Sequence, residues 1–378
     1  MLVEDRIYFD NAATTPIDAE VIEVMTTVLK EYYGNPSSIH SHGLVVRTII
    51  EDARKSISKT LNCSPGEIFF TSGGTEADNM AIRKSVDCLG VKNVITSPIE
   101  HHAVLHTIDE LEHKGSIQKH DVKLLSDGHI NFEHLEELLQ SNSNCLVSLM
   151  HINNEIGNML DIEKVSELCI KYQAIFHSDT VQTIAHYPLD LQKTQIDFIA
   201  CSAHKFNGPK GTGFIYINGK RNIDPFITGG AQERDMRGGT ENVHGIAGMA
   251  KAFELSYKDL EKNSQTISEV KTYMIEQLKG AFSGVEFNGD AEGKSSYTIL
   301  NASFPPTPIA EMLLFKLDIS GVSSSGGSAC TSGSNIGSHV LTALGVDSER
   351  PSVRFSFGKQ NTKQEVDQVI KKLKEVLS

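Results

Sequence analysis

Between residues 67 and 213 short apolar runs alternate with stretches of helical periodicity, and that alternation limits the fold more than any other feature of the chain. The runs are Ile68-Phe69-Phe70, Asn93-Val94-Ile95-Thr96, Leu146-Val147-Ser148-Leu149-Met150, Ala174-Ile175-Phe176, Phe198-Ile199-Ala200 and Phe214-Ile215-Tyr216-Ile217. Helical segments between them include 132–140 and 162–172. Runs of this length, separated by helices, predict an α/β fold with a mostly parallel sheet flanked by helices. Upstream, a helix is expected after Pro16, capped by Asp18, with Val21, Ile22, Met25, Val28 and Leu29 on one face. A second amphipathic stretch covers about 44–61.

The character changes near residue 250. A long helical stretch at about 247–282 leads to a strand-like run at 297–304, a helix at about 309–317, the run Val353-Arg354-Phe355-Ser356-Phe357 and a last helix at about 363–377. This pattern predicts a smaller α+β domain. At 378 residues the chain exceeds the usual size of one core. The expected division is an arm at 1–15 packing with the small domain, a large domain at 16–255, and a C-terminal domain at 256–378.

Composition removes several function classes. A net charge of −13 with no basic stripe argues against nucleic acid as partner. No segment approaches the roughly 18 uninterrupted apolar residues of a membrane span, so no membrane association is expected. The opening residues show no basic region followed by an apolar stretch, and no secretory leader is expected. The six cysteines lie at least 24 residues apart, without a CxxC, which supports neither zinc nor a disulfide framework. The fifteen histidines are scattered without an HExxH. No metal site is expected, and a reducing cytoplasm is the expected home.

Chemistry enters at Lys205. It follows the Phe198-Ile199-Ala200 run and precedes Asn207-Gly208-Pro209-Lys210-Gly211, which turns the chain. That places an amine just past the carboxyl end of a buried strand, where open α/β sheets bind ligands. A lysine held there can become a nucleophile toward a carbonyl. Taken alone it would be a surface loop residue, but Asp179 occupies the matching place after Ala174-Ile175-Phe176. An amine for an aldehyde and an acid for a pyridinium nitrogen are the pairing expected for pyridoxal 5'-phosphate (PLP). Phosphate needs an anion cup, and Thr71-Ser72-Gly73-Gly74-Thr75-Glu76 supplies glycines between a strand and a helix N-terminus.

One further segment stands out. Residues 321–338 contain twelve Gly or Ser among eighteen, a composition expected to make a flexible connection. A plain linker has no use for Cys330 at its centre. The expectation is a loop that delivers a thiolate to a site and withdraws it.

The ordered blocks Asp10-Asn11-Ala12-Ala13-Thr14-Thr15, Gly34-Asn35-Pro36-Ser37-Ser38, Thr71-Ser72-Gly73-Gly74-Thr75-Glu76, Glu100-His101-His102-Ala103-Val104, Asn153-Asn154-Glu155-Ile156-Gly157, His177-Ser178-Asp179-Thr180-Val181-Gln182, Ser202-Ala203-His204-Lys205, Arg237-Gly238-Gly239-Thr240 and Gly327-Ser328-Ala329-Cys330 together resemble the cysteine desulfurases. These are class V aminotransferases of the PLP-dependent transferase fold type I. The resemblance spans residues 8 to 358. Three positions depart from the family's commonest wording: Gly74 stands for an alanine, Ala203 for a glycine, and Ser-Gly-Gly-Ser-Ala-Cys for Ser-Ser-Gly-Ser-Ala-Cys.

The resemblance implies a role for each matching residue. Lys205 would carry PLP and then move the Cα proton, Asp179 would keep the pyridine nitrogen protonated, and His101 would stack on the ring and relay protons. Gln182 and Asn154 would bond the phenolic oxygen or the substrate amine region. Gly74, Thr75, Ser202 and His204 would bind phosphate, joined by Thr240 from a second subunit of a homodimer. Arg354 would clamp the substrate carboxylate, with Asn35 nearby. The Cys330 thiolate would attack the sulfur of L-cysteine, leaving alanine and a persulfide for a protein acceptor such as a cluster scaffold or thiol carrier. The implied service is iron–sulfur cluster assembly or thiolation. A selenocysteine lyase shares the fold and cofactor and is the alternative; a non-enzymatic sulfur carrier or scaffold is a more distant one.

Overall fold

The chain enters through β1 (Ile7–Tyr8), α1 (Ala19–Glu31) and α2 (Ser41–Thr60). It then alternates β2 (Ile68–Thr71), α3 (Gly74–Leu89), β3 (Asn93–Thr96), α4 (His102–His113), β4 (Gln118–Asp121), α5 (Phe132–Ser141), β5 (Cys145–Ser148), α6 (Ile162–Lys171), β6 (Ile175–Asp179), β7 (Phe198–Ser202) and β8 (Gly213–Ile217). After α7 (Val243–Lys258) and α8 (Leu260–Ala281) come β9 (Glu286–Phe287), β10 (Ile299–Ser303), α9 (Leu313–Ile319), β11 (Val322–Ser323), α10 (His339–Ala343), β12 (Ser352–Ser356) and α11 (Lys363–Leu377). This computed structural model describes residues 6–327 and 337–377, and Cys330 lies outside them.

Among the described residues, seven strands form one sheet in the order β2-β8-β7-β6-β5-β3-β4. Pairing is parallel from β7 through β6, β5 and β3 to β4, and antiparallel on both sides of β8. Strands β2, β5, β6, β7 and β8 are buried at every position, which is why they read as unbroken apolar runs. One core fills the sheet face under α2, α5, α6 and α7; a second fills the face under α3 and α4. The fold is α/β, with a mostly parallel sheet between helical layers.

A third core gathers Ile7 and Phe9 with α8, α9, α11, β10 and β12. Here β1 pairs in parallel with β11, while β10 sits between β9 and β12 in an antiparallel sheet. The expected single helix at 247–282 is two. Asp259 breaks it at φ −104°, ψ 15°, and the halves join different cores: Met249 and Phe253 the large one, Ile267 and Met274 the small one. Polar residues flank the break, so hydrophobic periodicity runs through it unmarked.

Other expectations shift in detail. The helix at 309–317 is a 3-10 turn at Ala310–Met312 followed by α9. In α1 the Asp18 carboxylate accepts the Glu20 N–H as expected, but Ile22 and Leu29 face solvent while Val21 and Val28 are buried. Strand β4, Gln-Lys-His-Asp, has no apolar signal because it is an edge paired only with β3 and is half exposed.

Candidate active site

The parallel strands β3, β5, β6 and β7 hand the chain to loops at their carboxyl ends, and these loops converge on one cavity of about 210 Å³. Ala12, Ala13, Gly74, Thr75, Asp78, His101, Met150, Asn154, Asp179, Val181, Gln182, Ser202, His204, Lys205 and Arg354 line it. Ten of the residues singled out in the sequence therefore meet: Gly74, Thr75, His101, Asn154, Asp179, Gln182, Ser202, His204, Lys205 and Arg354. Asn35 does not join them. It is exposed ahead of α2, its side-chain oxygen accepting the Ser37 N–H at 2.9 Å.

Lys205 ends the 3-10 turn that β7 enters. Its Nζ donates to the carbonyls of Ala12 and Ala13 at 2.6 and 2.9 Å, so the N-terminal loop folds over the amine. The Gln182 amide donates to the same Ala12 carbonyl at 3.0 Å. Asp179 ends β6, and one of its oxygens accepts the Val181 N–H at 2.9 Å. Burial pushes its carboxyl up to about 6, against the lowering effects of the Val181 N–H and the Lys205 charge. Asp179 and Lys205 both line the cavity.

His101 caps α4, its Nδ1 accepting the Ala103 N–H at 3.1 Å. Burial, aided by the charges of Lys205, His339 and His106, pushes the imidazole down to about 4. It is therefore neutral with its proton on Nε2. His204 behaves alike, held down at about 4 chiefly by burial, with Nδ1 3.2 Å from Thr14 Oγ1. Arg354 is 1% exposed and rigidly placed: one terminal nitrogen donates to the Asn154 carbonyl at 2.8 Å, the other to Asp10 Oδ1 at 2.9 Å.

The glycine turn meets the requirements of a phosphate. Side chains cap α1, α2, α4, α5, α6, α7 and α10; α8 and α9 have no side-chain cap, and neither does α3. Its first N–H groups and dipole are left for an anion. Gly73 has φ +151°, and a Cβ on Gly74 would come within 2.6 Å of Val181 Cγ2. An open helix N-terminus, a central lysine and a buried acid fit PLP along its length.

Thr240 lies outside this cavity and is exposed. Its loop is pinned from below. Arg54 and Glu233, both almost wholly buried, make a two-point ion pair at 2.8 and 2.9 Å, and Glu233 also accepts the Phe70 N–H at 2.7 Å. Arg237 pairs with Glu76 at 2.9 Å. Glu233, Arg234 and Asp235 all hold positive φ, a conformation such anchoring can maintain.

Sequence reasoning missed Asp78. It lies one helical turn after Gly74 and is 1% exposed; its Oδ1 is 3.3 Å from His177 Nε2, without hydrogen-bond alignment. The i, i+4 spacing from Gly74, with His177 two residues before Asp179, was the available signal. Burial, then the charges of Asp179 and Glu100, raise the Asp78 carboxyl well above its usual range. A raised carboxyl contributes its full stability below about pH 4 and loses it as pH climbs toward the folded-state value. Each tenfold step over that interval costs about 1.4 kcal/mol. Cofactor-free Asp78→Asn is therefore expected to unfold at a higher temperature than the wild type at pH 8, the gap narrowing toward pH 4. Parallel melting curves across that range would contradict this.

Comparison with known proteins agrees with the geometry. The aminotransferase class-V family model matches residues 7–369. The cysteine desulfurase IscS of Dictyoglomus turgidum is 41% identical over 376 residues, covering 98% of this chain and 94% of that protein. A solved structure described as a NifS-like protein superposes with a TM-score of 0.91 at 37% identity, covering 98% of this chain and 99% of the other. Another, described as SspA in complex with cysteine, gives a TM-score of 0.82 at 30% identity, covering 94% and 100%.

Proposed function

The chain belongs to the class-V aminotransferase family and is a PLP-dependent cysteine desulfurase, and from that membership we propose how its residues share the conversion of L-cysteine to L-alanine. When bound, PLP supplies an aldehyde that takes up an amino group and a ring that accepts the electron pair released at Cα. Lys205 holds and later moves the Cα proton, its amine kept in the cavity by the Ala12 and Ala13 carbonyls. Asp179, buried at the end of β6, would hold a proton on the ring nitrogen. His101 offers an Nε2–H beside the substrate, and Gln182 and Asn154 orient its amine region. Gly74, Thr75, Ser202 and His204 take the phosphate at the open end of α3, and Arg354 receives the substrate carboxylate with its planar fork.

Sulfur leaves through Cys330. Its thiolate forms a bond to the substrate sulfur as the substrate's Cβ–S bond breaks, and the electron pair of that bond stays with carbon. Protonation of the carbon fragment gives alanine, and Cys330 keeps the sulfur as a persulfide. The convergence of Lys205, Asp179 and the uncapped α3 in one cavity carries this reading. Borohydride reduction of the PLP-loaded protein followed by peptide mapping is expected to find the cofactor fixed on the Lys205 peptide. Cofactor fixed on another peptide would contradict it. Cysteine is favoured over selenocysteine as substrate because the relatives carry the name of cysteine desulfurases.

The active unit we propose is a homodimer in which Thr240 reaches the partner's phosphate. Support comes from Thr240 lying exposed on an anchored loop, and from large apolar side chains left in solvent around α1 and α2, such as Tyr33 at 78% and Ile39 at 91% exposure. The cores favour a large unit proposed at 16–255 and a small one at 256–378, with Ile7 and Phe9 packed on the second while Ala12, Ala13 and Thr15 bond to the first. The persulfide is passed to a protein acceptor, a cluster scaffold or a thiol carrier, and the cytoplasm is the proposed location. No helix among the described residues is long and apolar enough to cross a membrane.

A further inference from the structure

Glu155 is wholly buried, and the cofactor cavity does not use it. Its carboxylate lies where two distant points of the chain come together. Ser338 donates its hydroxyl to Glu155 Oε2, and a Cβ built on Gly327 would stand 2.8 Å from that same oxygen and 3.1 Å from Ser338 Cβ. The chain therefore departs at 327 and returns at 338 through one point, with Cys330 on the stretch between. The close approach requires glycine at 327. A Cβ on Gly326 would come within 2.8 Å of Leu314 Cδ1 on α9, the far end of a side chain that can turn aside. Of this Gly-Gly pair only Gly326 departs from the family's wording, while Gly327, the position next to Glu155, keeps it.

The junction is fastened to the cofactor cavity on both sides. The backbone of Glu155 continues from Asn154, a cavity residue whose carbonyl receives Arg354 at 2.8 Å. The Glu155 carbonyl accepts the Asn301 amide at 3.2 Å, and its N–H is taken by Asn153 Oδ1 at 2.9 Å. On the returning side the Ser338 hydroxyl also accepts the Leu341 N–H at 3.1 Å, which orients it fully. The next residue, His339, is 2.9 Å through Nε2 from the carbonyl of Glu100, which precedes His101. On the departing side Ser325 exchanges backbone hydrogen bonds with Arg354, and its hydroxyl donates to Asp10 at 2.9 Å. Both ends of the Cys330 stretch are thus referenced to residues next to, or part of, the cavity.

A buried carboxylate is costly unless its surroundings answer it, and here Oε1 has no hydrogen-bond partner among the described residues. An alanine or leucine would fill the same space without that cost. From the shared contact at 327 and 338 we infer that Glu155 is a positioning residue for sulfur transfer: its carboxylate joins the two ends of the Cys330 stretch and fixes their distance from the cavity. It is not among the residues that line the cofactor cavity. The inference rests on the reading that Cys330 receives the sulfur.

The test compares Glu155→Gln, Ser338→Ala, Ser338→Thr and Cys330→Ser in PLP-loaded protein. Two readouts are taken on each: the change in cofactor absorbance on mixing with L-cysteine, and the rate of alanine formation at saturating L-cysteine. Misplacement by an ångström can cost on the order of 100-fold in rate. E155Q and S338A are expected to bind cofactor and give the wild-type absorbance response while forming alanine 10- to 100-fold more slowly, on the order of that estimate. S338T, which restores the hydroxyl, is expected to recover most of the rate. Wild-type alanine formation by both E155Q and S338A, with C330S inactive, would overturn the role given to Glu155. Equal losses in absorbance response and alanine formation would also overturn it, since a general structural role predicts them. If E155Q does not fold, the S338A and S338T pair decides alone. Alanine formation by C330S would instead overturn the underlying reading of Cys330.

Discussion

Lys205→Ala is expected to form alanine from L-cysteine at least about 10⁴-fold more slowly than the wild type, because one amine both holds the cofactor and moves a proton. The geometry gives no ready substitute for it. Among the cavity's other side chains, His101 and His204 are held neutral by burial with Nδ1 already engaged, and Arg354 is tied to Asn154 and Asp10. The variant should still take up PLP, since the α3 N-terminus, Ser202 and Asp179 are untouched, but borohydride should fix none of it to the protein. Stopped-flow absorbance and alanine quantification check this together. Turnover within tenfold of the wild type would remove Lys205 from the chemistry.

Cys330→Ser is the second large effect. Serine keeps the size of the side chain but is a far weaker nucleophile toward sulfur than a thiolate. Alanine formation is expected to fall below about 1% of wild type, while the absorbance change on adding L-cysteine persists. That split is informative because a folding defect would remove both signals. Treating the wild type with L-cysteine and then alkylating under non-reducing conditions should show one extra sulfur on the Cys330 peptide. Extra sulfur on Cys63 or Cys88, the partly accessible thiols among the described residues, would reassign the acceptor.

What was legible in the sequence follows from where the chain is buried. Strands β2, β5, β6, β7 and β8 are covered on both faces, so their apolar runs stand out, and a lysine or acid just beyond such a run falls at the cavity. Lys205 and Asp179 could be placed for that reason. The glycines at 73 and 74 were legible as a strand-to-helix turn, where Gly73 holds a positive φ and a Cβ on Gly74 would meet Val181. Strand β4 escaped because an exposed edge imposes no apolar pattern. The break at Asp259 escaped because both flanking helices are amphipathic and differ only in which core they enter. Asp78 escaped because a single carboxylate inside a helix looks like a solvated surface residue until the fold closes over it. Glu155 was visible only as part of a motif; its contact with Gly327 and Ser338 depends on three segments meeting. Asn35, drawn from the resemblance alone, stays at the surface beside Ser37, since the α2 N-terminus lies away from the cavity.

The most direct measurement is the product balance. PLP-loaded protein is incubated with L-cysteine and a thiol reductant, and alanine and sulfide are quantified in the same samples. A cysteine desulfurase that stores sulfur on Cys330 yields the two in equal amounts over many turnovers, and yields neither from the Cys330→Ser variant. Protein visibly loaded with PLP that releases no alanine, or releases sulfide together with pyruvate in place of alanine, would contradict it.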